Sequence, residues 1–325
     1  MTLRVKTSLD PAILDLPATE LLTVLDGPTL FDLTQPGQAP MFVSVLLHGN
    51  EISGWDAVCS ILKEQQHNGQ GTSMLLLVGN VLAASQGVRA LDGQTDFNRI
   101  WEEENGKKFR WAEEVIERVS SRKPWFALDI HNNTCPNPHH AVITDMNPST
   151  LSAARKFSKT AIFAMQPLSI LSRRCSQFCT AITLEVGVPS DPTSVDRARD
   201  FLKFLLDLGA VPATHSDDLE IYTNKIRVVI ENAQELDESQ VPSFTPSLSD
   251  WNFKTLDKGT EIAQLKSGGG RLLAQDERLN DVTPSYLEYK NDSVCLSSDV
   301  IMSMYTDNPR IALQDCVCYF LEPWM

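Results

Sequence analysis

His48-Gly49-Asn50-Glu51 sets an imidazole and a carboxylate side by side directly after the apolar run MFVSVLL (41–47). Both groups are good zinc donors. The two-residue gap lets side chains from one tight turn converge on a single ion, with Gly49 read as the residue that permits the turn. Taken alone, the pair reads equally as a solvated loop. Asp129-Ile130-His131-Asn132-Asn133-Thr134 closes another apolar run. His131 could supply a third protein ligand. Three such ligands leave a coordination position for water, the catalytic rather than the structural arrangement of zinc. Asp129 would then act from behind the ligand or brace the strand end. The plainer reading of His131 is a hydrogen-bonded histidine at a strand terminus.

Thr183-Leu184-Glu185-Val186-Gly187 ends a third apolar run on a carboxylate. Such a group is costly to bury without a partner or a purpose. Near a metal, Glu185 could take a proton from water and deliver it to a leaving amine; by itself it reads as half of a salt bridge. Arg89 and Asp96-Phe97-Asn98-Arg99 complete the inventory. A guanidinium beside a side-chain amide suits a substrate carboxylate, and Arg89 could face the oxygen on which charge develops. Ion pairing at the surface is the simpler alternative for either arginine. His139 and His140 follow Pro136 and Pro138 and are set aside as ligands, His67 and His215 read as surface residues, and Cys135 lacks an orienting group for a thiol nucleophile.

These groups need a scaffold that brings distant segments together. MFVSVLL (41–47), MLLLVG (74–79), WFALDI (125–130) and AITLEV (181–186) are short, nearly continuous apolar runs, as expected of strands buried on both faces of a mostly parallel sheet. Between them, Trp55, Val58, Ile61 and Leu62 share one helical face, as do Phe109, Ala112, Val115, Ile116 and Val119. Asn147-Pro148 opens a helix to about Lys159, and Asp191-Pro192 opens another that runs to a stop at Gly209. The alternation predicts an α/β domain whose ligands gather beyond the carboxyl ends of the strands. After about residue 212 helical periodicity fades. Candidate strands at 225–230, 261–265 and 316–321 alternate with turn-rich segments, SGGG at 267–270 among them. The predicted organisation is a catalytic domain over 1–211 and a smaller, mainly β domain over 212–325.

HGNE, then an arginine and DFNR, then DIHNNT, then TLEVG, in that order, resemble the succinylglutamate desuccinylase/aspartoacylase family, zinc relatives of the metallocarboxypeptidases. The resemblance is strong over about 41–190 and looser at DWNFKTLDKGTEIAQ (250–264) and YTDNPRIALQDCVCYF (305–320). It implies a mixed or mostly parallel sheet flanked by helices, and one Zn²⁺ per chain held by His48, Glu51 and His131. Glu185 matches the general base, Arg89 the carbonyl-polarising arginine, and Asn98 and Arg99 the residues that bind the amino acid's α-carboxylate. Arg174, with Arg173 beside it, lies where aspartoacylases carry an arginine for the substrate's side-chain carboxylate. Tyr305 lies where the β domain lends a tyrosine to the cleft. In VRALDGQTDFNR (88–99) the spacer between Arg89 and Asp96 is two residues longer than the family's, which puts the reach of Arg89 at issue. The implied activity is hydrolysis of the amide of an N-acyl amino acid. A zinc peptidase acting on short peptides and a non-catalytic binding protein on the same fold are the alternatives.

Composition narrows the partners. With 28 Lys plus Arg against 42 Asp plus Glu, a formal charge of −14 repels phosphate backbones and anionic lipids. A small-molecule substrate fits better than nucleic acid or a membrane; a homo-oligomer is compatible. Seven cysteines without a C-x-x-C pair, and an N-terminus without an apolar leader, point to reduced thiols in the cytoplasm.

Overall fold

The computed structural model describes all residues except 70, 104–107, 212, 214–217 and 325, and gives no side-chain burial for 247–249. The expected domain boundary at 211/212 and His215 therefore fall on or beside residues outside the described set. By internal contacts the chain forms two compact units: Met1–Asn132 with His139–Glu220, and Asn133–Pro138 with Ile221–Met325.

In the first unit the strands are β1 (Arg4–Lys6), β2 (Thr29–Leu33), β3 (Met41–Val45), β4 (Met74–Val78), β5 (Phe126–His131), β6 (His140–Ile143), β7 (Thr160–Phe163) and β8 (Thr180–Glu185). They run in the order β1-β2-β4-β3-β5-β8-β6-β7. The central pairs β4/β3, β3/β5 and β5/β8 are parallel, while β2/β4 and β6/β8 are antiparallel. The sheet is thus mixed with a parallel centre, as the uninterrupted apolar runs predict. Every residue of β3 and β4 is buried.

Six α-helices accompany it among the described residues: α1 (Ser53–His67), α2 (Val81–Ala84), α3 (Arg110–Ser121), α4 (Pro148–Phe157), α5 (Leu171–Cys175) and α6 (Thr193–Leu208). α1 packs against α6. α3 lays Trp111, Val115 and Val119 into a core with Phe42, Leu75, Leu77 and Trp101. The helix starts follow the local chemistry. Pro148 occupies the first turn of α4, which ends at Phe157, two residues before the expected Lys159. Asp191 Oδ1 accepts from Thr193 N (2.9 Å) at the head of α6, and Gly209, at φ 67°, closes it.

The second unit is mainly β, as the change of texture predicts. β9 (Glu220–Ile230), β11 (Thr255–Leu256), β13 (Leu272–Gln275), β16 (Val300–Ser303) and β17 (Cys318–Pro323) pair antiparallel in the order β13-β9-β17-β16-β11. β10 (Ser243–Phe244), β12 (Glu261–Gln264), β14 (Leu287–Lys290) and β15 (Ser293–Leu296) form a second sheet, with short helices α7 (Thr283–Tyr286) and α8 (Pro309–Gln314) between strands. Its core gathers Ile226, Val228, Ile262, Met302, Tyr305 and Phe320. Tyr305 corrects an expectation. Its side chain is fully buried in this core, and its hydroxyl lies 2.9 Å from Ile262 O and 3.1 Å from Thr245 O, either of which can accept its proton. The tyrosine is committed to packing the β unit. All seven cysteines are unbridged. Among the described residues no helix is long and apolar enough to cross a membrane.

Candidate metal centre

Parallel strands end together, so whatever follows β3, β5 and β8 shares one edge of the sheet. The register aligns Val45 with Ile130, and His131 with Glu185. Beyond β3 the backbone turns at Leu46, which takes φ 58°, and then presents His48 and Glu51. Gly49 serves a purpose other than the one its sequence suggests. Its φ is not positive; instead a Cβ there would lie 2.2 Å from Ala84 N and 2.3 Å from Ala83 C. Only glycine lets α2 pack on this turn. Gly187, after β8, is needed on both counts: φ is 111°, and a Cβ would meet Ser194 Oγ at 2.8 Å and Arg197 Nη1 at 2.9 Å.

His48, Glu51 and His131 are buried, and one donor atom from each lies within 4.8 Å of the others. His48 Nδ1 is 2.8 Å from Glu51 Oε1, His131 Nδ1 is 2.7 Å from Glu51 Oε2, and the two Nδ1 atoms are 3.2 Å apart. The other nitrogen of each ring faces a carboxylate: His48 Nε2 to Asp96 Oδ1 at 2.9 Å, and His131 Nε2 to Asp129 Oδ2 at 2.9 Å. With a carboxylate behind each ring, both Nδ1 atoms are turned toward Glu51. This is how histidine ligands are commonly oriented behind a metal. Three buried side chains that point at one spot form a donor set that could hold a metal ion. Asn132 steadies the carboxylate: its backbone N donates to Glu51 Oε2 (3.2 Å), and its side-chain amide donates to Ser53 Oγ (2.9 Å) and Gly187 O (2.7 Å).

The charges respond to this crowding. Burial opposes ionisation of Glu51, but the two imidazoles outweigh it and hold its carboxyl below the usual range. Burial also opposes charging of His131, yet Asp129 and Glu51 push its pKa well above that of a free imidazole. His48 is raised more mildly: burial and Arg89 work against Glu51 and Asp96. Asp96 is held well below its normal value, with His48 and Arg89 overcoming burial. Glu185, across from His131 on β8, moves the opposite way. Burial pushes it up to about 8 against the lowering influence of His131, and its Oε2 is sealed from solvent with no hydrogen-bond partner among the described residues. A carboxylate so poorly solvated is a good proton acceptor.

Arg89 reaches the site despite its longer spacer: Nη1 lies 3.4 Å from Glu51 Oε1 and Nη2 donates to Asp96 Oδ2 at 3.0 Å. Asp96 is a hub, because its Oδ1 also accepts from Asn98 N at 2.6 Å. Asn98 Nδ2 lies 3.4 Å from His131 Nε2, and Asn98 Oδ1 accepts from Leu171 N at 3.1 Å. Arg99 donates to Asn98 O (2.9 Å) and adds positive charge near Asp96. Arg174 is engaged elsewhere, with Gln177 Oε1 at 2.5 Å and Glu102 at 3.6 Å, while Arg173 donates to Ala164 O and Met165 O. His139 stacks edge-on against Phe157. His140 is buried on β6, opposite Glu185 in register. The triple duty of Asp96 and the support from Asn132 lie beyond what sequence reasoning assigns: the only signal is their place inside DFNR and DIHNNT.

Comparison with known proteins agrees with the fold. The chain is similar to the solved succinylglutamate desuccinylase of Chromobacterium violaceum (TM-score 0.59, 16% identity, covering 98% of this chain and 99% of that one). It is also similar to that of Vibrio parahaemolyticus (0.57, 16%, 92% and 86%) and to murine aminoacylase 3 (0.54, 16%, 90% and 97%). At such identities the likeness is one of fold. No curated protein sequence matches. Residues 40–208, just over half of the chain, match the succinylglutamate desuccinylase/aspartoacylase catalytic domain, and the chain therefore belongs to that family.

Proposed function

We propose that this protein is a zinc-dependent hydrolase that cleaves the amide bond of an N-acyl amino acid. The observation that carries the reading is the convergence of His48 Nδ1, Glu51 and His131 Nδ1 on one point, with Glu185 beside it and Arg89 against Glu51. The donor set fits zinc. Donors about 2.0–2.1 Å from a shared tetrahedral ion lie about 3.3 Å apart, and the imidazole pair stands 3.2 Å apart. Both carboxylate spacings are shorter, at 2.8 and 2.7 Å. Two nitrogens and one oxygen suit zinc better than magnesium or calcium, which take oxygen.

Bound there, zinc supplies a Lewis acid for the scissile carbonyl and lowers the pKa of water toward neutrality. The protein's own groups do the rest. Glu185 accepts the proton of the attacking water and later hands it to the departing amine, so that a carboxylate and a free amino acid leave. Arg89, held by Asp96, faces the carbonyl oxygen as negative charge develops there. Asn98 and Arg99 orient the amino acid's α-carboxylate, and Arg174 is the candidate contact for an acidic side chain once its pairing with Glu102 opens. The excess of acidic residues suits a protein that works in water on small molecules rather than on polyanions.

A panel of N-acetyl and N-succinyl amino acids set against dipeptides, scored by released amine with zinc-loaded protein, tests this reading. Turnover of the acylated amino acids is expected. Turnover of dipeptides alone would move the assignment to a peptidase, and zinc binding without any turnover would make it a binding protein.

A further inference from the structure

The connector from Arg89 to Asp96 joins two groups of the site, yet it is a loop with no strand or helix of its own. Such a segment needs another source of precision. One end is fixed by the backbone: Val88 N donates to Ala83 O (3.1 Å) and Gly49 N donates to Arg89 O (3.0 Å). The middle is fixed by one side chain. Gln94 Oε1 accepts from Leu91 N and from Asn80 Nδ2, both at 2.9 Å, while Gln94 Nε2 donates to Asn80 Oδ1 at 3.2 Å. Gln94 N donates to Leu91 O (3.0 Å), closing a tight turn in which Gly93 takes φ 72°.

Asn80 is a firm anchor. It is buried, its backbone N donates to Leu46 O (2.6 Å) at the end of β3, and its Oδ1 also accepts from Ala83 N (3.2 Å) at the head of α2. Gln94 therefore clasps the lengthened connector to the same strand end that leads into His48. Paired amide hydrogen bonds fix direction as well as distance, and each is worth about 1 kcal/mol net when partly buried.

We propose that Gln94 is a positioning residue for Arg89: its paired amide bonds to Asn80 hold the connector so that the guanidinium stays aimed at the scissile carbonyl. This rests on the reading of Arg89 given under the proposed function. Gln94 touches neither the donor triad nor Glu185 in any described contact, so its effect passes through the arginine and spares the metal.

The test combines kinetics, metal affinity and amide exchange on zinc-loaded protein. Gln94→Ala should lower kcat on an N-acyl amino acid about ten- to hundredfold, with KM and zinc affinity near those of the wild type and a melting temperature a few degrees lower, since three partly buried hydrogen bonds are lost. Gln94→Glu keeps both acceptor contacts but sets a second oxygen against Asn80 Oδ1, so it should not restore the wild-type kcat. In an Arg89→Ala background, Gln94→Ala should cost less than about twofold, because coupled residues are not additive. The Leu91 amide should exchange faster in Gln94→Ala. A wild-type kcat in Gln94→Ala, an equal loss in both backgrounds, or weakened zinc binding would each overturn the proposal. Failure of the wild type to hydrolyse any acylated amino acid would instead overturn the functional reading; unchanged exchange at Leu91 would then still reject the clasp.

Discussion

The strand ends and the 89–99 connector both contribute to the site, but they reach their precision by different means. His131 and Glu185 are neighbours because β5 and β8 are parallel and in register. Their separation is a property of the sheet, backed by a largely apolar interior. Arg89, Asp96 and Asn98 have no such frame. Each is held by discrete contacts: Arg89 to Asp96 and Glu51, Asp96 to His48 and Asn98 N, Asn98 to Leu171 N. On this account the placement of the sheet-borne groups should depend less on any single hydrogen bond than that of the connector-borne groups.

That contrast can be broken most severely at the ligands. His131→Ala should abolish stoichiometric zinc and bring turnover below detection, as read by metal analysis and amine release; full zinc occupancy in this variant would remove His131 from the ligand set. Arg89→Ala is next. It should keep zinc and lower kcat about 10²–10³-fold, the usual cost of losing one group that stabilises a developing oxyanion, with a smaller change in KM. A change confined to KM would reassign the arginine to ground-state binding.

The two supporting carboxylates sharpen the contrast further. Asp129 braces His131, and Asp96 braces His48, Arg89 and Asn98 together. Asp129→Asn and Asp96→Asn should each weaken zinc about 10–100-fold in a chelator competition. At saturating zinc, Asp129→Asn should regain most of its kcat while Asp96→Asn stays low, since only the latter also loosens the arginine. Equal recovery would show that Asp96 supports the metal alone. Smallest of all, Tyr305→Phe should leave kcat unchanged and cost the β unit about 1 kcal/mol in denaturant unfolding; a fall in kcat would return that tyrosine to the cleft.

The sheet and the site's address were legible because apolar runs and strand-end motifs are local signals. His48, His131 and Glu185 each close a run that the composition alone marks as buried strand. Other features required space rather than sequence. Gly49 looks like a turn glycine, yet the backbone of α2 is what excludes a side chain there. Arg89 lies beyond a lengthened spacer that sequence reads as a threat to its reach. Nothing in Gln94 or Asn80, fourteen positions apart, announces that their amides pair. Tyr305 sits in a motif-like stretch, but its hydroxyl is spent on backbone carbonyls. Local patterns name the elements; loop anchoring and side-chain commitments depend on what the fold brings alongside.

The central claim meets its most direct test in Glu185→Ala, with zinc content and hydrolysis of N-acyl amino acids measured on one preparation beside the wild type. The account predicts one zinc per chain in both proteins and a loss of turnover of at least about a thousandfold in the variant. Wild-type turnover in a zinc-replete Glu185→Ala protein would contradict it.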